Sequence, residues 1–340
     1  MNTVNVAIVG ATGAVGTKIL EKLLERKFPA KSIKLLASKR SEGIEISAHG
    51  QKFIVEETVP ESFDGIDIAF FSAGGNISKM FASEAVARGA VVIDNTSAFR
   101  MVEDIPLVVP EVNPKSLANH KGIIANPNCS TIQMVTALEP IREKLGLKRV
   151  IVSTYQAVSG AGVEAIEELE NQSNQFETRA TNEAALLPTG AGERFYPIAF
   201  NAIPQIDAFD SSGYTLEELK MINETKKIFE NKDLHVSATC VRIPVVSGHS
   251  ESIYFEIDTE GTTVEDLKKL LENAPGIVLQ DDPAQQSYPM PLFAEGVDDV
   301  FVGRIRKDPD HPTGFHMWVV TDNLLKGAAL NSVQIAEHLI

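Results

Sequence analysis

The amino-acid sequence predicts an α/β protein of two domains, and three observations support this prediction. The chain has 340 residues, which is more than a single hydrophobic core comfortably serves. Short apolar runs alternate with amphipathic helical patterns, as in proteins whose helices pack on a largely parallel sheet. A glycine-rich turn joins the first apolar run to the first helical pattern, which is typical of a Rossmann-type dinucleotide-binding domain.

Composition excludes several classes of protein. An apolar content of 44% with interspersed charges is typical of a soluble globular protein. The net charge of −15 argues against bulk binding to nucleic acid or to an anionic membrane. Two cysteines form no disulfide framework, which favours a reducing compartment. The sequence shows no signal-peptide pattern and no apolar run of the roughly 18 residues that a membrane span needs. We therefore expect a cytoplasmic protein.

The first strand is predicted over residues 4 to 9, and the glycine turn follows it directly. Gly10 allows the tight turn, Gly13 lets the backbone approach a pyrophosphate, and Gly16 lets helix and strand pack closely. The spacing is GxxGxxG rather than GxGxxG, so the flanking strand and helix are needed to make the motif specific. The cofactor ligands expected in this turn are Gly10, Thr12, Gly13, Ala14 and Val15.

The second strand, residues 33 to 37, ends in Ser38-Lys39-Arg40-Ser41. An NAD-specific site usually carries Asp or Glu here for the ribose 2′-hydroxyl. Hydroxyls and cations suit a 2′-phosphate instead, which predicts NADP as cofactor with Ser38, Arg40 and Ser41 as ligands. The competing interpretation is an ordinary basic loop.

The remaining elements of the first domain continue the same pattern. A hairpin is predicted over residues 44 to 57 around His49-Gly50, and a buried parallel strand over residues 66 to 71. This strand ends in Ser72-Ala73-Gly74-Gly75, a small-residue turn in which we expect Ser72, Ala73 and Gly74 to line the cofactor site. A helix over residues 77 to 88 and a strand over residues 90 to 93 follow.

Arg100 closes the segment after that strand, Asn95-Thr96-Ser97-Ala98-Phe99-Arg100. Ligands of open α/β sheets lie at the carboxyl ends of the strands, so Arg100 stands where an anionic substrate would be met. The alternative is an ordinary surface arginine.

Cys129 lies in Asn126-Pro127-Asn128-Cys129-Ser130, between an apolar run over residues 122 to 125 and a helical pattern over residues 131 to 145. A cysteine at a helix start is near helical N–H groups and the positive end of the dipole, which lowers the pKa of its thiol. Our hypothesis is that Cys129 is a catalytic nucleophile. The alternative is a small buried apolar residue, since free cysteines are among the most buried residue types.

The second half of the chain begins with a strand over residues 149 to 154 and a helix over residues 163 to 176. Residues 171 to 204 are polar and irregular, too long for a simple loop in a compact domain. We interpret them as an excursion that covers the site or meets a second subunit. A helix over residues 215 to 229 follows, with a capping box of Thr215 and Glu218.

Candidate charged and acid/base residues lie on these later elements. Glu217 and Lys220 share one helix face at i, i+3, although a solvated charged face is the simpler interpretation of that spacing. His249 lies in a turn between strands over residues 235 to 243 and 251 to 257, and it is a candidate general acid/base. A lone histidine is usually a satisfied surface or core residue, which is the alternative here. Cys240 alternates with Arg242 on one strand face, and we interpret it as structural. Further elements are a helix over residues 263 to 274, strands over residues 300 to 305 and 317 to 320, and a last helix over residues 324 to 339.

Seven short motifs, taken in order along the chain, are together highly specific. They are Gly10-Ala11-Thr12-Gly13-Ala14-Val15-Gly16, Asn95-Thr96-Ser97-Ala98-Phe99-Arg100, Asn126-Pro127-Asn128-Cys129-Ser130, Gln156-Ala157-Val158-Ser159-Gly160, Glu217-Glu218-Leu219-Lys220, Arg242-Ile243-Pro244-Val245-Val246-Ser247-Gly248-His249-Ser250 and Asp322-Asn323-Leu324-Leu325-Lys326-Gly327-Ala328-Ala329. On these motifs the chain resembles the aspartate-β-semialdehyde dehydrogenase family over its whole length. The long excursion after Gly162 and the Arg-Ile-Pro-Val form of the histidine loop resemble the branch common in Gram-positive bacteria.

The resemblance implies an oxidoreductase that interconverts L-aspartate 4-semialdehyde and phosphate with L-4-aspartyl phosphate, using NADP. This reaction lies on the route to lysine, methionine, threonine and diaminopimelate. The implied NADP-binding domain comprises residues 1–128 and 322–340. Residues 129–321 would form an α+β catalytic and dimerisation domain with a mixed sheet. We expect a homodimer, with a homotetramer as the alternative, and no metal, nucleic-acid or membrane partner.

The resemblance also implies a role for each motif residue. Cys129 would be the nucleophile, His249 the acid/base, and Gln156 the group that orients the thiol and its adduct. The implied substrate ligands are Arg242 for the α-carboxylate, Glu217 for the α-amino group, Arg100 and Lys220 for phosphate, and Asn128 for the acyl oxygen. The remaining expected cofactor ligands are Ser159, Gly160 and Asn323.

Two other functions compete with this one. An N-acetyl-γ-glutamyl-phosphate reductase uses a similar cysteine–histidine scheme, but its acylated substrate has no ammonium for Glu217 to meet. A non-catalytic NADP-binding redox sensor would use Cys129 as a switch, and it would leave Arg100, Lys220 and Arg242 without a purpose.

Overall fold

The structure is a computed structural model, and it describes residues 3–190 and 192–340. The chain divides into two compact units, one of Met1–Asn128 with Gly327–Ile340 and one of Cys129–Lys326. We expected the C-terminal segment to rejoin the first domain at residue 322, and it does so five residues later. The reason is that Asp322 and Asn323 bond within the second unit, where they accept the backbone N–H groups of Gly296 at 2.9 Å and Gly248 at 3.0 Å.

The regular elements alternate along the chain, as the sequence predicts. The strands are β1 (Val4–Val9), β2 (Ala30–Ala37), β3 (Glu45–Ala48), β4 (Gln51–Glu57), β5 (Ile68–Phe71), β6 (Val91–Asp94), β7 (Ile123–Ala125), β8 (Arg149–Gln156), β9 (His235–Arg242), β10 (His249–Glu256), β11 (Ile277–Leu279), β12 (Val300–Lys307) and β13 (Gly314–Thr321). The helices are α1 (Ala14–Glu25), α2 (Gly75–Ala87), α3 (Cys129–Leu145), α4 (Val163–Ser173), α5 (Leu216–Ile228), α6 (Val264–Glu272), α7 (Pro291–Ala294) and α8 (Leu330–Glu337).

The first unit is built on a seven-stranded sheet in the order β3-β4-β2-β1-β5-β6-β7. Its pairs are parallel except for the β3–β4 hairpin, whose two-residue turn places both His49 and Gly50 at positive φ. Apolar clusters cover the strands, and β1 lies between β2 and β5, where strand order reverses. This topology confirms the Rossmann-type fold, and its ligand crevice lies at the carboxyl ends of β1 and β5.

The second unit is built on a six-stranded mixed sheet in the order β11-β12-β13-β10-β8-β9. The β8–β9 and β11–β12 pairs are parallel, and the other pairs are antiparallel. Helices α3, α5 and α6 pack on the face that carries the buried residues of β8, β9 and β10. The mixed sheet confirms the fold class that the family resemblance implies.

Some elements differ from the sequence-based expectation. The short elements β11 and α7 were not predicted, and the helix expected from residue 163 ends at Ser173. The helix expected over residues 324–339 is a π-helical turn, Leu325–Ala329, followed by α8. Asp322 starts this turn, because its carboxylate accepts the N–H groups of Leu324 and Leu325.

The irregular stretch over residues 171–204 packs on its own apolar cluster in the second unit. Its Leu187, Ile198 and Ala199 lie against residues of the α4 region, including Leu169. This packing ties the described part of the segment, residues 171–190 and 192–204, to the second unit. Within residues 3–190 and 192–340, no helix is both long and apolar enough to cross a membrane.

Candidate active site

The predicted nucleophile, Cys129, is the first residue of α3, the long helix of the second unit. The residue is partly exposed. The first-turn N–H groups of a helix favour a negative charge at this position. Cys129 also interacts electrostatically with the guanidinium of Arg242, an effect that raises the pKa of the guanidinium and in turn favours the thiolate.

His249 is the first residue of β10 and is fully buried. The N–H of Ala157 donates to its Nδ1 at 3.1 Å, so the neutral ring carries its hydrogen on Nε2. Burial first, and then the neighbouring charge of Arg242, lower the pKa of His249 to about 3. The imidazole is therefore neutral in the free protein at ordinary pH, and Nε2 is its proton-carrying atom.

Gln156 lies at the end of β8 and joins the histidine to an acidic side chain. Its Nε2 donates to Oε1 of Glu217 at 3.2 Å and lies 3.3 Å from Nε2 of His249. Its Oε1 accepts the hydroxyl of Thr154 at 3.0 Å, which fixes the orientation of the amide. The contact of the amide nitrogen with His249 is a contact of two donors, so it leaves the Nε2–H of the imidazole available to another acceptor.

Arg242 is opposite Gln156 in the β8–β9 register and is 4% exposed. Its Nη1 donates to the carbonyl of Ala157 at 2.7 Å, while its Nε has no hydrogen-bond partner among the described residues. Burial lowers the pKa of the guanidinium and nearby Glu217 opposes that change. A buried cation with an unused donor is a ready site for a carboxylate.

Glu217 and Lys220, one turn apart on α5, form a small charge network with Asp207. The Lys220 ammonium lies 3.2 Å from Oε2 of Glu217 and 3.0 Å from Oδ2 of Asp207. Burial opposes the charged ammonium, but the attraction of the two carboxylates outweighs it and raises the pKa of Lys220. The capping box of Thr215 and Glu218 is present and begins the helix as predicted.

The backbone at Gly160 lies close to the side chains of His249 and Arg242. A Cβ at this position would lie 3.3 Å from Cε1 and Nε2 of His249 and 3.2 Å from Nη1 of Arg242. The glycine therefore lets the backbone approach both side chains more closely than another residue could.

Two further predicted residues tie the same loop to the strand that begins with His249. Asn323 donates through Nδ2 to the hydroxyl of Ser159 at 3.0 Å and accepts the N–H of Gly248 at 3.0 Å. Both residues are buried. They hold the Gly160 loop beside the turn that carries His249.

Arg100 and Asn128 belong to the first unit and are buried there. Arg100 donates through Nε to the carbonyl of Asn126 at 2.9 Å and through Nη2 to the carbonyl of Asn95 at 2.8 Å. Arg100 thus lies at the carboxyl ends of β6 and β7, where the sequence places it. The first unit holds these two predicted substrate ligands, and the second unit holds the other six catalytic and substrate residues.

A cavity of about 470 Å³ lies at the carboxyl ends of β1, β2 and β5. It is lined by Gly10, Thr12, Gly13, Ala37, Ser38, Lys39, Glu57, Thr58, Ser72, Ala73, Ile77 and Phe81. Gly10 has φ of 85°, and a Cβ there would lie 2.8 Å from the backbone N of Ala73. Gly13 caps α1 with no side chain over its N–H groups, so the helix start can receive a pyrophosphate.

The cavity lining differs in part from the predicted cofactor ligands. Ala14, Val15, Arg40, Ser41 and Gly74 are outside it. The cation that lines it is Lys39, whose ammonium lies 3.2 Å from Glu57 and close to Glu42. Lys39, Arg40 and Ser41 form a short 3-10 turn, and of these three residues Lys39 alone lines the cavity.

Two family models and several known proteins match this chain over most of its length. The model of the semialdehyde dehydrogenase NAD binding domain matches residues 5–120, and that of the semialdehyde dehydrogenase dimerisation domain matches residues 138–326. An aspartate-semialdehyde dehydrogenase of Bacillus subtilis is 62% identical over 335 residues, which are 98% of this chain and 97% of that protein. One from Aquifex aeolicus is 56% identical over 98% of this chain and 97% of that protein. The chain belongs to the aspartate-semialdehyde dehydrogenase family.

Solved structures of the family share the whole fold. The Vibrio cholerae aspartate semialdehyde dehydrogenase II complexed with ASA is 46% identical, with a TM-score of 0.93 over 100% of this chain and 98% of that chain. A Candida albicans aspartate semialdehyde dehydrogenase with NADP is 27% identical, with a TM-score of 0.76 over 99% and 98% of the two chains. Membership of the aspartate-semialdehyde dehydrogenase family confirms the resemblance inferred from the seven motifs.

Several residues around the site were not predicted from the sequence. Asp207 binds Lys220 from an irregular segment, and Thr154 orients Gln156 from within a strand. Lys39 and Glu57 meet in the cofactor cavity from different elements. Most of these are tertiary contacts that no local spacing in the sequence indicates. The exception is Thr154, which could have been placed on the same strand face as Gln156, because the two are two residues apart on β8. Among the described residues, no group of three or more His, Cys, Asp or Glu side chains is arranged to hold a metal ion.

Proposed function

We propose that the protein catalyses the NADP-dependent interconversion of L-aspartate 4-semialdehyde and phosphate with L-4-aspartyl phosphate. One observation supports this function above all. Buried Arg242 and buried Glu217 lie beside Gln156 and His249, on the sheet face against which the Cys129 helix packs. This arrangement offers a cation for a carboxylate, a carboxylate for an ammonium, and a thiol for the reacting carbonyl. The two relatives named aspartate-semialdehyde dehydrogenase each match 98% of this chain.

Cys129 is the proposed nucleophile. In the biosynthetic direction its thiolate attacks the acyl carbon of aspartyl phosphate, inorganic phosphate leaves, and a thioester forms on the sulfur. Reduction of the thioester gives a hemithioacetal, which collapses to the aldehyde and regenerates the thiolate. The helix start and Arg242 both favour the thiolate, which must be present at the first step and is the leaving group at the last.

His249 is the proposed acid/base, and Nε2 is the ring atom through which it acts on the substrate oxygen. The N–H of Ala157 occupies Nδ1, so only Nε2 can face the substrate oxygen. The Nε2–H donates to the oxygen as negative charge develops there in the hemithioacetal. The N–H of Ala157 fixes the ring through Nδ1, and the hydroxyl of Thr154 fixes the amide of Gln156 beside it.

Arg242 and Glu217 are the proposed ligands of the amino-acid end of the substrate. The unpartnered Nε of Arg242 lies next to Nη2 in the guanidinium fork, an edge that binds both oxygens of a carboxylate. Glu217 already accepts hydrogen bonds from neutral Gln156 and from Lys220. Its charge suits a free α-ammonium, which an N-acylated substrate lacks.

Lys220 and Arg100 are the proposed phosphate ligands, with Asn128 supporting the acyl oxygen. The raised pKa of Lys220 keeps its ammonium charged at any working pH. Phosphate would join Asp207 and Glu217 as a partner of this ammonium.

NADP is the proposed cofactor, and when bound it supplies or accepts the hydride. Two features of the first unit support this cofactor: the start of α1 at Gly13 has no side-chain cap, and the close approach of Gly10 to Ala73 leaves a backbone-lined cradle. Ser38 and Lys39 line this cavity where the ribose 2′-phosphate would be bound. The proposed NADP-binding domain is thus the first unit, and the catalytic domain is the second.

We also propose that the protein is a cytoplasmic homodimer, with a homotetramer as the alternative. The matched dimerisation-domain model supports association through the second unit. This unit exposes large apolar side chains, among them Ile151, Leu292 and Phe293. Sedimentation equilibrium of the purified chain would test the assembly, and a monomer at micromolar concentration would overturn it.

Phosphate-dependent NADP reduction with aspartate semialdehyde tests the function directly. We expect turnover by the native chain and a loss of more than about a thousandfold in Cys129→Ala, since removal of an activated nucleophile leaves only binding and oxyanion stabilisation. Turnover on the N-acetyl-γ-glutamyl substrate instead would favour the reductase alternative. Cofactor binding without turnover on either substrate would favour the redox sensor.

A further inference from the structure

A fully buried carboxyl group, that of Glu251, lies directly beneath the catalytic residues and has no part in the mechanism above. Glu251 is 0% exposed, and neither carboxyl oxygen has a hydrogen-bond partner among the described residues. In the sheet register it is opposite Thr154, which in turn is opposite Cys240. His249, Gln156 and Arg242 form the neighbouring row on the same sheet face. Each of them lies two residues along its strand from Glu251, Thr154 or Cys240, respectively.

On the helix side, Gln133 faces this carboxyl group. Gln133 is also 0% exposed, and both ends of its amide have no hydrogen-bond partner among the described residues. Burial raises the pKa of Glu251 well above its usual range, and the amide of Gln133, which faces the carboxyl group as a donor, lowers that pKa by a smaller amount. The other titratable groups nearby are Cys240 on β9 and His249 on the same strand, and both remain neutral at ordinary pH because burial shifts their pKa values.

Gln133 and Glu251 lie on the same two elements, α3 and β10, as the reacting residues Cys129 and His249. Gln133 follows Cys129 by four residues on α3, so both side chains lie on one face of the helix. Glu251 follows His249 by two residues on β10, so both side chains lie on one face of the sheet. Helix α3 packs against β10 through these faces. The approach of Gln133 to Glu251 therefore sets the approach of the thiol to the imidazole.

We propose that Glu251, in its protonated form, is a positioning residue that pairs with Gln133 and fixes the distance between Cys129 and His249. A neutral carboxylic acid has one O–H donor and one C=O acceptor, and a primary amide has the complementary N–H and C=O. An ionised carboxylate would lack the donor. The inference rests on the proposed roles of Cys129 and His249, and it adds a group that acts through them.

The test compares Glu251→Gln with Glu251→Leu, using Ser252→Ala as a control on the opposite face of the same strand. The amide of Glu251→Gln can still pair with Gln133, so we expect kcat within about twofold of the native value. Glu251→Leu removes the proposed partner of the buried Gln133 amide, so we expect it to melt at a lower temperature than the native protein. At a temperature where the variant is fully folded, its kcat should still fall at least about tenfold, because small displacements of a catalytic group are costly.

A second readout needs no substrate. The rate of Cys129 alkylation by iodoacetamide, followed against pH and assigned by peptide mass spectrometry, reports the environment of the thiol. We expect its midpoint to move to higher pH in Glu251→Leu and to stay native in Glu251→Gln and Ser252→Ala. Gln133→Leu should reproduce the Glu251→Leu behaviour, and it provides the comparison if Glu251→Leu does not fold.

Two results would overturn the proposal. One is a Glu251→Leu or Gln133→Leu protein that keeps native kcat and a native alkylation profile, and the other is a Glu251→Gln protein as impaired as the leucine variant. Absence of turnover in the native chain would instead contradict the proposed function. The alkylation comparison would still decide the positioning role in that case.

Discussion

At the scale of single residues, Arg242 shows how burial prepares a side chain for one ligand. The chain surrounds the guanidinium with protein, satisfies Nη1 with a backbone carbonyl, and leaves Nε without a partner among the described residues. A buried donor without a partner costs free energy until an acceptor arrives. This cost becomes binding specificity, because a substrate that lacks the carboxylate cannot relieve it.

We expect Arg242→Lys to weaken substrate binding despite keeping the charge. A lysine cannot present the two parallel N–H groups of the guanidinium fork, and a charged hydrogen bond contributes about 1.5–3 kcal/mol, or roughly 10- to 150-fold. The measurement is the KM for aspartate semialdehyde, which should rise while the KM for the cofactor stays the same. A native substrate KM in the variant would show that the carboxylate is bound elsewhere.

The cofactor cavity allows a sharper residue-scale comparison between two neighbouring cations. Lys39 lines the cavity, and Arg40 does not. We expect Lys39→Ala to lower kcat/KM for NADPH by about tenfold and to leave kcat/KM for NADH unchanged, because only the 2′-phosphate distinguishes the two. Arg40→Ala is the matched control and should change neither. The reverse result would assign the 2′-phosphate to Arg40, as the sequence alone suggested.

At the scale of elements, the parts that could be predicted are those with a local cause. The period of apolar residues marks β1 and α1, and the glycines mark the turn that joins them. The capping box marks the start of α5 from Thr215 and Glu218. Cys129 could be placed at a helix start because turn residues precede a helical pattern there. Each of these signals lies within a few residues of the feature that it predicts.

The parts that could not be predicted depend on strand register. Nothing in the local sequence indicates that Thr154 is opposite both Glu251 and Cys240, since the pairing joins three strands that are distant along the chain. The contact of Asp207 with Lys220 also depends on the path of an irregular segment. The motifs thus located the chemistry, whereas the groups that orient it required the three-dimensional structure.

The Gly160 loop gives a prediction at this scale. We expect Gly160→Ala to lower kcat by about tenfold or more, because its Cβ would lie 3.2–3.3 Å from Arg242 and His249 and would displace one of them. Gly190→Ala is the control, since a Cβ there would meet none of the other described residues within 4 Å, its chain neighbours aside. Steady-state kinetics and melting temperatures of both variants would separate a local displacement from general destabilisation. Native kinetics in Gly160→Ala would mean that the loop yields without disturbing the site.

At the scale of the whole molecule, the second unit carries two buried groups whose pKa values shift so that both remain neutral. Burial lowers the pKa of His249 to about 3 and raises the pKa of Glu251. The two shifts have opposite consequences for stability. Below about pH 6.5 the unfolded histidine takes up a proton that the folded one does not, so stability falls as the pH falls. Above about pH 4.5 the unfolded glutamate releases a proton that the folded one keeps, so stability falls as the pH rises.

These opposite slopes predict how two variants differ from the native protein across pH. Each slope is at most about 1.4 kcal/mol per pH unit, so the contributions largely cancel between about pH 4.5 and pH 6.5, and only that of Glu251 continues above this window. Glu251→Gln should therefore gain stability relative to the native chain as the pH rises from 5 to 8. His249→Asn should gain stability relative to the native chain as the pH falls from 7 to 5, and the difference should be constant above pH 7. Urea unfolding midpoints of the three proteins at each pH measure these differences, provided that the m value is unchanged. A Glu251→Gln difference that is flat from pH 5 to pH 8 would mean that Glu251 ionises in the folded protein, and its pairing with Gln133 as a neutral acid would then be wrong.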